Sequence, residues 1–190
     1  MMKLRVISRI SCALLLAAIT AAAERPALAA PAEKAMDSRI DSRRIRDILE
    51  LQRLKGLYFY NLDLKNWDAW RALFTKDTKL IVERNDAQGK HVDVVEGIDN
   101  MMAYVKERLA IPPSVHQGYT PLFEFTSDTE ASGIWAMTGI LFTGPDKVFY
   151  GYGHYRETYR KEGGVWKFSS VHLTRLSTDY LSRAAGGDRR

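Results

Sequence analysis

Cysteine is almost absent from this chain, and its absence excludes several kinds of chemistry. The 190 residues contain one cysteine, Cys12, and four histidines. A lone cysteine forms no disulfide within the chain, and no His, Cys, Asp or Glu group has the spacing of metal ligands. The sequence also lacks a glycine-rich phosphate loop and a serine in a nucleophile-elbow context. We therefore predict no metal and no other cofactor, so that any chemistry comes from ordinary side chains.

Long hydrophobic runs are also scarce, and the one that exists lies near the N-terminus, from Ile10 to Ala23. At about 14 residues it is shorter than the roughly 18 that spanning a bilayer requires. Basic residues precede it, and the small residues of Ala27-Leu28-Ala29 follow it. This order is typical of a cleaved signal peptide, so we predict that residues 1–29 are removed and that the protein is exported, to the periplasm or the medium. Cys12 would leave with this segment.

The net charge of +5 at pH 7 comes largely from that export signal. Residues 1–29 contain four basic residues and one acidic residue, so their removal lowers the net charge to +2. A nearly balanced surface, with no Lys and Arg cluster among aromatic residues, predicts no nucleic acid partner and no membrane association after cleavage. The remaining chain of about 160 residues has the size of one domain with a core and a cavity.

Helical patterns come first in the predicted mature chain. After a polar, Ala-rich lead-in at 30–40, Asp41 and Ser42 can cap a helix whose apolar residues recur every three or four positions. Asn66 is predicted to cap a short second helix. The three predicted helices cover about 41–62, 67–74, and the stretch from Gly97 to the prolines Pro112 and Pro113.

Strand patterns follow the prolines. Long β-branched or aromatic runs are joined by turns of hairpin length, which predicts an antiparallel meander. Helices followed by a sheet indicate an α+β fold in which a strongly curved sheet wraps the N-terminal helices. The predicted strands are 78–83, 91–95, 115–125, 131–142, 148–161 and 165–177, and residues 181–190 are predicted to be a disordered tail.

His116 is the histidine best suited to catalysis. It is either a general base, since an unperturbed imidazole has a pKa of about 6.5, or a strand-end histidine bonded to a backbone carbonyl. Asp63 is either the carboxylate that fixes its tautomer or an ordinary helix-end aspartate. Tyr58 is either a hydroxyl donor to a substrate oxygen or a core aromatic residue. Tyr58 and Asp63 are separated by about 140° on an ideal helix, so both reach one cavity only if the helix ends or bends near Leu62.

Arg175 lies between Leu173 and Ser177 in a last strand whose face is otherwise apolar. It is either a rim ion pair or an anchor for an anionic group of a substrate. His172 alternates out of phase with Arg175, so it is predicted to face the other side of the strand. His91, near a polar turn, is predicted to lie on the surface, and His154 has no assigned role.

Short motifs along residues 40–180 occur in an order typical of one family. Over this range the chain resembles the SnoaL-like branch of the nuclear transport factor 2-like superfamily. The nearest enzymatic resemblance is to bile-acid 7α-dehydratases, and scytalone dehydratase and hexachlorocyclohexane dehydrochlorinase are more distant. The stretches that carry it are Leu54-Lys-Gly-x-Tyr58 with Asp63 and Trp67-Asp68, Val115-His116-x-Gly118, Gly133-x-Trp135, Gly153-His154-Tyr155-x-Glu157-x-Tyr159, Trp166-Lys-Phe168 and Leu173-Thr-Arg175.

The resemblance implies a conical α+β barrel whose open mouth holds a hydrophobic ligand. It also implies catalytic roles for Tyr58, Asp63, His116 and Arg175, with the histidine removing a proton next to a carbonyl and the tyrosine stabilising the enolate oxygen. Gly139 departs from the bile-acid enzymes, which have an acidic residue there. The predicted substrate-binding residues are Trp67, Trp135, Met137 and Tyr155.

Two classes of function remain open. One is a cofactor-independent lyase of the dehydratase type, or an isomerase, acting on a hydrophobic cyclic or polycyclic hydroxy-ketone. The other is a non-catalytic binding protein for a small hydrophobic ligand. Gly139 favours the binding protein, and the four catalytic candidates favour the enzyme. The last strands are apolar on both faces, at Phe149, Tyr150 and Tyr152 for example, so a homodimer or homotrimer is expected.

Signal peptide cleavage is directly testable. Intact-mass analysis of protein from an exporting host is expected to give a chain that starts near Ala30. A chain that keeps Met1 and stays inside the cell would contradict the predicted location and the predicted net charge of the mature protein.

Overall fold

A computed structural model of the chain describes residues 41–86 and 89–182. The predicted signal peptide, the lead-in at 30–40 and residues 183–190 of the predicted tail lie outside these ranges. Within them, no helix is both long enough and apolar enough to cross a bilayer. In chain order the elements are α1 (Ser42–Asp63), α2 (Trp67–Arg71), β1 (Phe74–Asp86), β2 (Gly89–Glu96), α3 (Ile98–Leu109), β3 (Ser114–Phe125), β4 (Glu130–Gly144), β5 (Lys147–Glu162) and β6 (Val165–Ser182).

Helix α1 forms where the apolar spacing predicts it. Asp41 is its N-cap residue, and the Asp41 side chain accepts a hydrogen bond from the backbone N–H of Arg43 at 2.9 Å. This bond satisfies one of the backbone donors that the start of a helix leaves without an intrahelical partner. One side of α1 packs into the core, through the buried residues Leu51, Leu54, Tyr58 and Leu62.

The prediction for the second helix is wrong at its C-terminal end. Helix α2 covers only Trp67–Arg71, and Phe74 begins strand β1. The backbone N–H of Phe168 donates to the carbonyl just before Phe74, so pairing with β6 replaces helical bonding here. Asn66 holds the N-cap position without a side-chain capping hydrogen bond, and its side-chain Nδ2 donates to Asn61 Oδ1 at 3.3 Å.

The strands form one curved sheet in the order β2-β1-β6-β5-β4-β3. The antiparallel meander from β3 to β6 is confirmed, and so is the α+β class. Strand β1 pairs in parallel with β6, which hairpin turns could not predict because the two strands lie far apart in the chain. The sheet is not closed, since β2 and β3 are its edges. The predicted conical barrel is therefore an open, curved sheet.

The core lies between α1 and the face of the sheet that packs on it, called here the inner face. Tyr58 of α1 stacks edge-on against Phe168 of β6, with ring centroids 5.4 Å apart. Tyr159 of β5 lies 5.4 Å from the same ring. Aromatic pairs at this separation add to the stabilisation that burial itself provides, so they fix the helix against the strands.

A bulge in β6 decides which of its later side chains face inward. The register with β5 shifts at Leu176, which is exposed. Arg175 and Thr178, on either side of the bulge, both line the same cavity. Strict alternation would have turned Thr178 to the outer face. Gly153 allows the close approach at this point, because an added Cβ would collide with the carbonyl oxygen of Thr174.

The other face of the sheet, called here the outer face, carries exposed apolar side chains on its β3 side. Val115, Tyr119 and Leu122 are 39%, 45% and 69% exposed, and Tyr152 on β5 is 37% exposed. Exposed apolar patches of this kind often mark protein–protein contacts. We propose that a second copy of the chain covers this face.

Single substitutions on the outer face test this assembly. Leu122→Lys and Tyr152→Lys are each expected to weaken self-association by at least about tenfold, because a charge would be buried in the interface. Light scattering and analytical ultracentrifugation at micromolar concentration measure the change. Ile111→Lys, at an exposed site outside the sheet, is the matched control. A parent protein that stays monomeric would contradict the proposal.

Candidate active site

A cavity of about 360 Å³ lies between the C-terminal end of α1, helix α3 and the inner face of the sheet. Cavities of roughly 300–1,000 Å³ are typical of small-molecule sites. Its apolar lining residues are Leu62, Leu80, Val82, Val105, Leu109, Leu141, Phe149, Val171 and Leu173. Its polar lining residues are Tyr58, Arg84, Tyr104, Arg108, His116, Tyr155, Arg175, Thr178 and Tyr180. Among the described residues, the lining thus includes arginines but no carboxylate.

His116 lines this cavity, and Asp63 forms a hydrogen-bonded pair with it from behind the wall. Asp63 Oδ1 lies 2.6 Å from His116 Nδ1, and Oδ2 accepts the backbone N–H of His116 at 2.8 Å. The Ser114 hydroxyl donates to Oδ1 at 2.8 Å, and Lys65 Nζ donates to the Ser114 oxygen at 2.9 Å. An ionised carboxylate only accepts hydrogen bonds, so the proton of a neutral His116 is assigned to Nδ1. Nε2 then keeps its lone pair.

The end of α1 puts the carboxylate in position. Asp63 is the last residue of the helix, and Lys65 two positions later has a positive φ of 60°. The chain therefore turns sharply after Asp63. Tyr58 lines the cavity but Asp63 does not, so the predicted joint access is only indirect, through the contact of Asp63 with His116. Strand β3 starts at Ser114, which delivers Ser114 and His116 to the same carboxylate. The pair thus joins a helix end to a strand start.

Asp63 is ionised at neutral pH. Partial burial raises the pKa of this carboxyl, but the hydrogen bonds and the charge of His116, with the Ser114 hydroxyl, outweigh burial and lower the pKa below its ordinary value. A carboxylate that accepts several hydrogen bonds is stabilised in its charged form. Asp63 can therefore orient the imidazole and stabilise it when it takes up a proton.

Two buried tyrosines stand on the cavity wall. Tyr58 is 6% exposed and Tyr155 is 2% exposed. Burial, the largest cause, raises the pKa of both phenols above the ordinary value, and the charges of Glu157 and Asp63 raise it further. Both hydroxyls therefore stay protonated at neutral pH and can act as hydrogen-bond donors.

Arg175 brings a positive charge to the cavity. Its guanidinium lies 5.5 Å from the ring centroid of Phe149, and its Nη1 atom is buried without a hydrogen-bond partner among the described residues. Burial lowers the pKa of Arg175, while interactions with Tyr155 and other tyrosines raise it. Gly151 makes room for the guanidinium, because an added Cβ would collide with Nη1. Arg84 pairs with Asp93, in contrast, and Arg108 with Glu107.

The SnoaL-like domain model matches residues 43–172, more than half of the chain. The chain belongs to the SnoaL-like domain family. The match spans α1 and most of the sheet, including Tyr58, Asp63 and His116, and it stops just before Arg175. The resemblance to this branch of the nuclear transport factor 2-like superfamily is thereby confirmed.

Solved structures with the same fold include proteins named as a dehydratase and a dehydrochlorinase. A candidate scytalone dehydratase from Novosphingobium aromaticivorans is 21% identical, with a TM-score of 0.64 over 77% of this chain and 98% of that chain. The hexachlorocyclohexane dehydrochlorinase LinA-type3 from Novosphingobium barchaimii is 18% identical, with a TM-score of 0.62 over 78% and 97% of the chains. Kfla4162 from Kribbella flavida is 19% identical, with a TM-score of 0.60 over 72% and 95% of the chains. At these identities the likeness shows the fold alone.

The SnoaL-like domain does not bring all the predicted substrate-binding residues to the cavity. Tyr155 lines it, and Met137 lines a small recess that adjoins it. Trp67 and Trp135 do not line it. Trp135 is buried in the core, where its Nε1 donates to the hydroxyl of Tyr159 at 2.9 Å. Trp67 packs at the core edge, with Lys106 Nζ 5.7 Å from its ring centroid.

A buried ion pair next to the rings of Tyr58 and Tyr155 was missing from the sequence-based interpretation. Lys55 Nζ donates to Glu157 Oε1, and both residues are almost fully buried. Tyr159 donates to the other oxygen of Glu157 at 2.6 Å. Burial lowers the pKa of Lys55 to about 8, although the charge of Glu157 raises it. The burial of both residues could have been predicted from the sequence. Lys55 lies on the apolar face of α1, and Glu157 lies on the same face of β5 as Tyr155 and Tyr159.

The other histidines lie away from Asp63. His91 is exposed. His172 lies on the outer face, where its Nε2 is 3.1 Å from Glu83 Oε1. Within residues 41–86 and 89–182, no group of three or more His, Cys, Asp or Glu side chains could hold a metal ion. Within this part of the chain, the site offers acid–base chemistry from Asp63, His116 and the tyrosines.

Replacing Asp63 by Asn is expected to lower the free energy of unfolding near neutral pH by about 1–3 kcal/mol, because hydrogen bonds to a charged group contribute roughly this much. The pKa of Asp63 is lowered by folding, so its stabilising effect is present above the unfolded pKa and is lost as pH falls through the folded pKa. Urea denaturation at about pH 7 and about pH 3 should therefore show a smaller difference between parent and D63N in acid.

Asp146→Asn provides the matched control. Asp146 is exposed in the turn between β4 and β5, so its replacement should change stability by less than about 0.5 kcal/mol. A D63N effect of the same size at both pH values would show that the stabilisation does not depend on an ionised carboxylate.

Proposed function

We propose that this chain is an exported lyase that eliminates water from a hydrophobic cyclic or polycyclic hydroxy-ketone without a cofactor. The Asp63–His116 pair at the cavity wall carries the proposal. Nδ1 of His116 is engaged by a carboxylate, which leaves Nε2 as the basic nitrogen beside a cavity of ligand size. The predicted signal peptide supports export. The solved structures named as a candidate scytalone dehydratase and a dehydrochlorinase support an elimination.

The first chemical step is removal of a proton from the carbon next to the substrate carbonyl. His116 Nε2 accepts this proton, and the electron pair of the C–H bond moves into the enolate. Asp63 stays ionised and stabilises the imidazolium through the 2.6 Å contact with Nδ1. A positioned general base of this kind contributes roughly 10²–10⁴-fold to the rate.

Tyr58 stabilises the enolate oxygen. Its phenol is protonated at neutral pH because burial raises its pKa, so it donates a hydrogen bond to the oxygen as negative charge develops. Collapse of the enolate then forms the C=C bond and expels the group on the β-carbon. The proton on His116 is available to this departing group, so no external acid is required.

The lining determines the expected class of ligand. Leucine, valine and phenylalanine side chains cover much of the wall, which favours a hydrocarbon ring system. Arg175 adds a positive charge to the same wall, and none of the described lining residues is acidic. Arg84 and Arg108 also line the wall, but they are paired with Asp93 and Glu107. The combination supports a polycyclic ketone that carries an anionic group at its periphery.

A non-catalytic binding protein is the second candidate. Gly139 favours it, because the related bile-acid enzymes have an acidic residue at this position and a second carboxylate is therefore missing near His116. Such a protein would use the same apolar cavity and the same arginines, and Asp63 and His116 would then only shape the wall.

Proton exchange distinguishes the two candidates. The enzyme should incorporate deuterium from D₂O next to the carbonyl of at least one member of a panel of cyclic ketones, measured by mass spectrometry. His116→Ala is expected to lower this rate by at least about 100-fold, because the base is lost. Asp63→Asn should act in the same direction, and the double variant should lose little more than the worse single variant, since the pair works as one unit.

Two further variants control for other effects. Tyr58→Phe removes only the hydroxyl, so it separates the chemical role of this residue from its packing. His91→Ala changes an exposed histidine away from the cavity and should leave exchange unchanged. If the parent catalyses no exchange, and the His116, Asp63 and Tyr58 variants bind ligand like the parent, the binding protein is the correct candidate.

A further inference from the structure

A small recess adjoins the main cavity beneath His116. It has a volume of about 30 Å³, and its wall includes His116, Gly139, Met137 and Arg175. His116 and Gly139 are directly opposite each other on β3 and β4. A recess of this volume holds one or two water molecules.

Gly139 creates this recess by its missing side chain. A Cβ at this position would lie 3.6 Å from His116 Cδ2 and 3.9 Å from Nε2, which is ordinary contact. The backbone of Gly139 does not have the positive φ that favours glycine, and the three atoms nearest to the added carbon all belong to side chains. Gly151 differs, since its Cβ would collide with Arg175. Neither strain nor close packing therefore requires glycine at position 139, and its effect is the space beside Nε2.

Two polar side chains, His116 and Arg175, line the recess. Arg175 supplies the buried Nη1 atom, an N–H donor without a partner among the described residues. His116 supplies Nε2, the ring nitrogen that Asp63 does not engage. A donor and an acceptor at one small site suit a hydroxyl group or a water molecule, which can accept from one and donate to the other. An anion would face the lone pair of Nε2, which disfavours it while His116 is neutral.

We propose that this recess is the subsite for the departing hydroxyl group of the substrate. The inference rests on the proposed function and deepens it. In the step that follows enolate formation, the C–O bond breaks as the C=C bond forms. The oxygen takes the bonding electron pair and accepts the proton that His116 Nε2 removed from carbon. Water forms in the recess, His116 returns to its neutral state, and the Arg175 N–H stabilises the negative charge on the departing oxygen.

This assignment gives Gly139 a specific role. In this chain, a side chain at position 139 would occupy the space that the leaving oxygen needs. The subsite therefore selects a small oxygen leaving group on the carbon next to the enolised position. The missing carboxylate at residue 139 then becomes part of an elimination site.

Gly139→Ala tests the subsite with two probes. β-Decalone in D₂O reports proton removal alone, and a β-hydroxydecalone reports elimination through the absorbance of the conjugated enone. The methyl group fills the recess but leaves the Asp63–His116 hydrogen bond in place. The rate of elimination is expected to fall at least tenfold more than the rate of exchange. Gly144→Ala adds a methyl group on the same strand, with its nearest neighbour 3.9 Å away, and should change neither rate.

Arg175→Gln provides a second variant that leaves the recess open and removes the guanidinium. It is also expected to lower elimination more than exchange. A crystal structure of the parent should contain an ordered water molecule within about 3.2 Å of both Arg175 Nη1 and His116 Nε2, and the G139A structure should lack it.

The outcomes separate the two proposals. Elimination and exchange that fall equally in G139A, or that do not fall at all, would overturn the subsite while the base function of His116 stands. A parent protein that catalyses no exchange would overturn the proposed function, and the subsite with it.

Discussion

The buried ion pair between Lys55 and Glu157 is the interaction on which the rest of the structure depends. It connects α1 to β5 across the core, and its members are 1% and 2% exposed. Removing one partner from such a pair typically costs about 3–5 kcal/mol, because the other charge is left buried alone. Lys55 Nζ also lies 3.5 Å from the ring centroid of Tyr155 and 4.3 Å from that of Tyr58. The pair therefore fixes both tyrosines that form the cavity wall.

The active site extends from this ion pair to the C-terminal end of α1. The helix reaches one more turn beyond Tyr58 and ends at Asp63, where the carboxylate meets the start of β3. Hydrogen bonds from the His116 backbone, the His116 ring and Ser114 converge on this one carboxylate. A shift of either element would break several of these bonds together, so the fold and the orientation of the base are coupled.

Much of the fold could be predicted from the sequence because local patterns determine it. The apolar spacing and Asp41 gave the extent of α1, and the hairpin turns gave the meander from β3 to β6. The parallel pairing of β1 with β6 could not be predicted, and neither could the lack of pairing between the two edge strands, β2 and β3. Both features depend on strands that are distant in the chain. The end of α2 was misassigned because tertiary pairing at Phe74 overrides its helical spacing.

For the candidate site, too, the sequence predicted the residues but not the contacts between them. The sequence by itself determined which residues could do chemistry, because few histidines and no cysteine occur in the predicted mature chain, and family motifs selected Tyr58, Asp63, His116 and Arg175. Only the tertiary structure decided that Asp63 and His116 are in hydrogen-bond contact and that Trp135 belongs to the core. It also decided that Gly139 opens a recess beside Nε2. Sequence patterns report the face of an element, whereas a distance between two elements depends on how the whole chain packs.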